Sequence, residues 1–267
     1  MLLFSLIIFF LGLALGSFAN CLIWRLYRQE KLSGRSHCPH CQHQLAWYEN
    51  IPLLSYVRLR GRCRYCRQTI AWQYPAVEAA VAVLFTFFWF KHLNFSWPDP
   101  EALVVILGSY NFWLLLLRDL LAAWVLTVVF VFDLRFYLVS TLVVLPASAA
   151  FIILNLLLGA SWVTMIGTIL AAVLFFGLQF ILTRGRGLGE GDIWLGLMLG
   201  ALFPNWSLLI LAILASYLIG TAVGLSLIAS GHKSWGSKLP LGVFLALGAI
   251  IALAWGFGII SSYWRWF

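Results

Sequence analysis

The chain has 267 residues, 63% of them hydrophobic and 10% charged, against about a quarter charged in soluble domains. Its apolar runs are each about 20 residues long, the hydrocarbon thickness of a bilayer. This excludes a soluble domain, and continuous rather than alternating apolarity excludes a β-barrel. The net charge of +8 does not point to nucleic acid, because the basic residues lie in loops between the apolar runs.

Met1 to Trp24 reads as a first span, retained because it has no leading basic region and no small-residue cleavage site. Arg25, Arg28, Lys31 and Arg35 follow at once, placing this end in the cytoplasm and the N-terminus outside. A polar insert then runs to about Tyr74 and holds nine of the 17 basic residues and four of the five cysteines. Residues 76–93 form the second span, and Asn94 to Gly108, with Pro98, Asp99, Pro100 and Glu101, an outer loop. Further spans are expected at 112–132, 137–158, 162–183, 193–203, 206–229 and 241–260. The segment 193–203 covers only about 16 Å, so it either crosses a thinned bilayer or re-enters. Charge favours crossing: the inner side then holds 14 of the 17 Lys and Arg, leaving Lys91, Arg118 and Arg265 outside. No internal repeat is evident. The sequence thus predicts an all-α polytopic membrane protein with about eight transmembrane helices and a small cytoplasmic zinc-ribbon-like insert.

Within the insert, Cys38-Pro39-His40-Cys41 and Cys63-Arg64-Tyr65-Cys66 are two Cys-x-x-Cys knuckles. Such turns can point four thiolates at one tetrahedral ion, zinc or iron in its place. An insert this small and polar builds little core, so a structural metal would hold it together. Disulfides or free thiols are the alternative, and a reducing cytoplasm disfavours disulfides. His37, His40 and His43 read as polar loop residues, although one could replace a ligand. Cys21 in the first span reads as a small apolar residue.

Among the nine carboxylates, Glu30 and Glu49 lie in the insert, Asp99 and Glu101 in the outer loop, and Glu78 opens the second span. Asp119 follows Arg118 and reads as half of a charge pair. Asp133, Glu190 and Asp192 remain. The chain between Asp133 and Asp192 makes two crossings, so both return to the cytoplasmic face. Two carboxylates at one depth can share a proton, one activating water while the other donates. Spacing alone leaves helix-end caps and a proton relay open as well.

The order of motifs resembles the bacterial prepilin peptidases, or type IV leader peptidases. Gly16-Ser17-Phe18-Ala19-Asn20, Arg25 and Ser36-His37-Cys38-Pro39-His40-Cys41 are similar to the family's start. Asn50-Ile51-Pro52-Leu53-Leu54-Ser55-Tyr56, Arg60-Gly61-Arg62-Cys63-Arg64-Tyr65-Cys66 and Tyr74-Pro75-Ala76-Val77-Glu78 continue it. Asp133, Gly189-Glu190-Gly191-Asp192 and Pro240-Leu241-Gly242 complete it. The resemblance covers nearly the whole chain. It implies a membrane aspartyl endopeptidase with Asp133 and Asp192 as its catalytic pair. It also implies prepilin and pseudopilin substrates in the bacterial inner membrane, and often N-methylation of the new N-terminus with S-adenosylmethionine. On this reading residues 1–24 are the first transmembrane helix and 76–267 the peptidase domain. Residues 25–75 are the cytoplasmic four-cysteine insert, binding structural zinc through Cys38, Cys41, Cys63 and Cys66. Partners would be the prepilins and membrane lipid, with no nucleic acid.

Two departures stand out. Val139-Ser140 replace the usual Ile-Pro after the first aspartate, and Trp194 stands where a lysine commonly follows the second. Gly187-Leu188-Gly189-Glu190 also reads as Gly-x-Gly-Glu, but Asp192 matches the family residue and abuts the helix. Glu190 is then a candidate contact for the basic leader. The rival readings are an ion- or proton-coupled transporter, disfavoured by the cysteine insert, and a non-catalytic pilus or secretion assembly protein, disfavoured by the paired aspartates.

Overall fold

The computed structural model describes residues 2–94, 100–185, 187–234 and 237–265. Its regular elements are all helical. Helices α1 (Leu2–Arg28), α2 (Leu54–Arg58) and α3 (Gln73–His92) are followed by α4 (Pro100–Gly108) and α5 (Tyr110–Phe136). Next come α6 (Thr141–Leu157), α7 (Trp162–Leu182), α8 (Glu190–Leu202), α9 (Trp206–Ala229) and α10 (Leu241–Trp264). Six of these, α1, α3, α5, α7, α9 and α10, are long and apolar enough to cross a membrane, and α6 is a shorter apolar helix. With α8 they coincide with the eight expected segments. The expected outer loop is corrected in part: residues 100–108 form α4, with Pro100 in the first turn, where its missing N–H costs nothing. Pro98, Asp99 and Arg186 lie outside the described residues.

The chain divides into two compact units, Met1–Val104 and Val105–Phe267. In the first unit, α1 packs against α3. Gly12 and Gly16 make this possible, because a Cβ at either would lie 2.6 or 2.7 Å from the Cα of Ala82 or Glu78. Helices surrounded by lipid gain little from burying Leu, so close backbone approach at small residues drives their association. Asn20 of α1 donates to the Tyr74 carbonyl at the start of α3 (3.0 Å), and Trp89 Nε1 donates to Ser5 Oγ (3.0 Å).

The second unit contains α5 to α10. Helix α8 lies against α6 and α7, and α10 against α5, α8 and α9. Gly196 and Gly200 let α8 approach α7: a Cβ at Gly200 would lie 2.5 Å from Ile169 Cα. Gly248 does the same for α10 against Ala212 and Ser216 of α9. Successive helices alternate in direction, so the C-termini of α5, α7 and α9 share one end of this unit with the N-termini of α6, α8 and α10.

Candidate active site and metal centre

Both candidate aspartates stand at that end of the second unit. Asp133 lies in the last turn of α5 and Asp192 in the first turn of α8, and they are only 6% and 8% exposed. Each is held by the start of a helix. The Asp192 carboxylate accepts from the Gly189 N–H at the N-cap of its own helix (3.0 Å). Asp133 reaches another helix: its Oδ2 accepts from the Val243 N–H (3.2 Å), and the Gly242 N–H adds a second donor. Both amides belong to the first turn of α10, where N–H groups lack intrahelical partners and the helix dipole favours a negative charge.

Helices α5, α8 and α10 converge here. A Cβ at Gly242 would lie 2.9 Å from Asp133 Oδ2 and 3.1 Å from Leu195 Cδ1, one turn beyond Asp192. The glycine is therefore the gap through which α10 presents its amides to Asp133. Gly191 has a matching role, since its Cβ would lie 2.6 Å from Val139 Cβ. The departure at Val139 thus packs directly on the Gly-x-Gly-Asp segment. Asp192 is within electrostatic reach of Asp133. Glu190 is exposed and Trp194 is 39% exposed, so neither shares Asp192's buried setting. Tyr217 of α9, whose hydroxyl donates to Gln179 of α7 (2.8 Å), is also within electrostatic reach of Asp192.

Sequence reasoning did not find the α10 amides. Backbone donors carry no side-chain signature, and the sole local signal was Pro240 preceding a Gly-containing helix start. It also missed what Arg25 does. This residue is 6% exposed and donates to the carbonyls of Leu32, Gly34 (2.8 Å) and Arg35 (3.2 Å), fastening the chain that leaves α1. Glu78 similarly accepts from the Leu53 N–H (2.8 Å), and Glu49 from the Ala46 N–H (2.9 Å).

In the first unit the four cysteine sulfurs of Cys38, Cys41, Cys63 and Cys66 all lie within 4.8 Å of one another, with Cys38 and Cys66 3.9 Å apart. A tetrahedral ion with bonds of about 2.3 Å requires sulfurs about 3.8 Å apart, so the cluster can hold a metal. Burial alone would raise the Cys63 thiol, but backbone N–H groups of Cys66 and Tyr65 favour its thiolate and bring it down to about 7. For Cys66, the Gln68 N–H favours the thiolate, yet burial and the neighbouring sulfurs of Cys63, Cys41 and Cys38 push it up to about 11. Four thiols this close cannot all ionise unless a cation joins them. His43 stacks on Tyr65, with ring centroids 3.5 Å apart, outside this sulfur set.

The two knuckles repeat each other, correcting the expectation of no internal repeat. Cys38 N–H donates to His43 O as Cys63 N–H donates to Gln68 O, and Gln42 N–H to Cys38 O as Arg67 N–H to Cys63 O. Gln42 (φ 57°) and Arg67 (φ 58°) are both left-handed, and Leu45-Ala46-Trp47 answers Ile70-Ala71-Trp72. The repeat was hidden because few identities survive outside the cysteines and the Ala-Trp pair.

A helical membrane protein with two buried aspartates, each held by the N–H groups of a helix start, defines a class, the intramembrane carboxylate-pair proteins. The comparisons with known proteins then narrow it. Residues 10–92 match the bacterial peptidase A24 N-terminal domain, and residues 120–225 match the type IV leader peptidase family. The chain is 31% identical to a prepilin leader peptidase/N-methyltransferase of Stutzerimonas stutzeri, over 95% of this chain and 91% of that protein. It is 32% identical to the protein of that name from Aeromonas hydrophila, over 98% and 92%. A Myxococcus xanthus relative is 34% identical over 86% of this chain and 65% of its own length. No solved structure matches the chain. The chain belongs to the type IV leader peptidase family.

Proposed function

We propose that this protein cleaves the basic leader from prepilins or pseudopilins, with Asp133 and Asp192 as the catalytic pair. The supporting observation is the convergence of two buried carboxylates at one end of the second unit, in a chain of the leader peptidase family. One carboxylate takes a proton from water as the water oxygen attacks the scissile carbonyl, and the protonated partner gives its proton to the carbonyl oxygen. The tetrahedral intermediate then collapses: the C–N bond breaks, the leaving nitrogen takes a proton from one carboxyl, and a hydroxyl of the intermediate returns a proton to the other as the carbonyl re-forms, leaving the pair singly protonated again. The helix-start amides of α8 and α10 hold the carboxylates in place.

The reaction belongs at the cytoplasmic face of the bacterial inner membrane. Among the described residues of the second unit, Arg135, Arg184, Lys233 and Lys238 stand at the aspartate end, whereas Arg118 and Arg265 stand at the other. That asymmetry orients the aspartates towards the cytoplasm, where a prepilin's leader meets its hydrophobic helix. Anionic lipid head groups suit this basic rim, and exposed Glu190 offers the leader an opposite charge.

Zinc is the ion that best fits four thiolates in two knuckles, and it would hold the insert rather than take part in peptide chemistry. The relatives' names extend the proposal to N-methylation of the new N-terminus, with S-adenosylmethionine supplying the methyl group. In the first unit, Gln73 Oε1 is a buried acceptor without a hydrogen-bond partner, and Glu49 Oε1 has the Arg64 guanidinium at 3.7 Å but no hydrogen bond. Both would accept from the donor's amine or hydroxyl groups. Incubating purified protein with a full-length prepilin and weighing the product tests both steps. Loss of the leader with the mass of one added methyl is expected. An uncleaved prepilin overturns the peptidase reading, and a cleaved, unmethylated product in the presence of the methyl donor overturns the second step.

A further inference from the structure

Helix α8 has 13 residues and is about 20 Å long, against a hydrocarbon core of about 30 Å. It starts at the aspartate end, so it stops well inside the unit. Its last residues are buried: Ala201 is 0% exposed, Leu202 1% and Phe203 2%. The final four carbonyls of a helix have no intrahelical donor, and water is not there to replace one. All four are nevertheless paired. Leu199 O accepts from the Phe203 N–H (2.9 Å). Gly200 O lies 3.0 Å from Thr168 Oγ1 of α7, whose single proton it shares with Met165 O (2.9 Å), and Ala201 O and Leu202 O accept from Asn155 Nδ2 of α6 (2.8 and 3.3 Å).

The Asn155 amide is itself fixed. Its Oδ1 accepts from Arg118 Nη1 of α5 (3.2 Å), and Arg118 Nε and Nη2 donate to Asp119 Oδ1 (2.9 and 2.8 Å). Asp119 and Asn155 are 0% and 1% exposed. A half-buried ion pair thus orients an amide, and the amide terminates the helix that carries Asp192. The same contacts tie α8 to α5, which carries Asp133 at its other end.

We propose that Asn155 and Thr168 are positioning residues for the aspartate pair: by ending α8 at a fixed depth and rotation, they set where Asp192 stands relative to Asp133. This rests on the assignment of that pair as catalytic. Without these bonds the end of α8 can shift within the narrow limits that Gly196 and Gly200 on α7 allow, without unfolding, so the first property to suffer is the geometry of the pair.

The test compares wild type with Thr168→Val, Asn155→Leu and the rescue variant Thr168→Ser, in kcat, KM and pH profile on a prepilin, with Asp133→Asn and Asp192→Asn alongside. Hydrogen exchange over residues 190–202 of the full chain is followed in parallel. Thr168→Val and Asn155→Leu should lower kcat on the order of tenfold or more, as misplaced catalytic groups do, while KM holds. They should narrow the pH profile, because carboxylates moved apart couple less, and should exchange faster in α8. Thr168→Ser restores the hydroxyl and should restore all three. Wild-type kcat, pH profile and exchange in both lock variants, with the aspartate variants inactive, overturns the lock alone. Wild-type cleavage by the aspartate variants overturns the pair, and the positioning role with it.

Discussion

The four cysteine sulfurs of the first unit are held by local backbone turns, whereas in the second unit Asp192 is held by the start of its own helix and Asp133 by a helix distant in sequence. Each knuckle closes on itself within a few residues through bonds such as Gln42 N–H to Cys38 O. Asp133, by contrast, takes its donor from Val243, 110 residues away in the chain. The first arrangement forms from local geometry, and an ion could join its halves. The second needs the whole helix bundle in place. Damage to one should therefore leave the other largely intact.

The sharpest break is at the aspartates. Asp133→Asn and Asp192→Asn keep the shape of each side chain but cannot accept or share the proton. Each should reduce leader cleavage on the order of 10⁴-fold, with insertion and metal content unchanged. The double variant should be little worse than either single one, because two groups acting as a unit do not contribute additively. Cleavage rates by gel shift and metal content by elemental analysis measure both sides of the comparison. Metal lost together with activity would show that the regions are not independent.

A smaller effect comes from moving the aspartates rather than removing them. Gly242→Ala puts a methyl 2.9 Å from Asp133 Oδ2, and Gly191→Ala puts one 2.6 Å from Val139 Cβ. Either α10 or α8 must shift. Cleavage should fall about ten- to a hundredfold in each, as misplacement of a catalytic group by about 1 Å costs that much. Gly258→Ala is the control, since nothing lies within 4 Å of its added Cβ, and it should cleave as wild type.

These glycines also show what the sequence made legible and what it did not. Span positions were readable because an apolar run of bilayer length is rarely anything but a span. The cysteine cluster was readable because its spacing is local. Which face of each helix points inward was not, because lipid-facing residues are as apolar as buried ones: Leu170 and Leu174 of α7 are exposed, while Ala172 and Phe176 are buried. Hydrophobic periodicity is then silent, and small residues such as Gly196 and Gly200 carry the packing signal instead. The α10 amides that hold Asp133 and the side chains that end α8 depend on long-range pairing that no local pattern encodes. Short α4 went unread because a charged, proline-bearing start looked like loop.

Next in size is the metal cluster. Cys63→Ser replaces a thiolate whose proton is already loosely held with a hydroxyl that stays protonated. Metal content should drop by most of its value, and residues 36–70 should become sensitive to protease. Cleavage should fall by about tenfold or less, with the aspartate region unaltered, because a structural ion stabilises its own fold and takes no part in the peptide chemistry. Cys63→Ser protein that keeps its metal would mean that the cluster does not act through four sulfurs.

The smallest effect should come from Glu190, and it separates the two ways of reading the glycine segment. Glu190 and Asp192 are two residues apart at the start of α8, so their side chains leave the helix about 200° apart. They cannot both face Asp133. Asp192 is the buried one, held by the Gly189 N–H at 3.0 Å, and Glu190 is exposed on the other side. Glu190→Gln should therefore keep kcat within about twofold, since an exposed charge contributes weakly. A modest rise in KM that disappears at high salt would mark Glu190 as a contact for the basic leader. A loss of kcat as deep as that of Asp192→Asn would move the working carboxylate to Glu190 and make Gly187-Leu188-Gly189-Glu190 the motif. That outcome would require α8 to turn by nearly half a revolution, against the packing of Gly196 and Gly200 on α7.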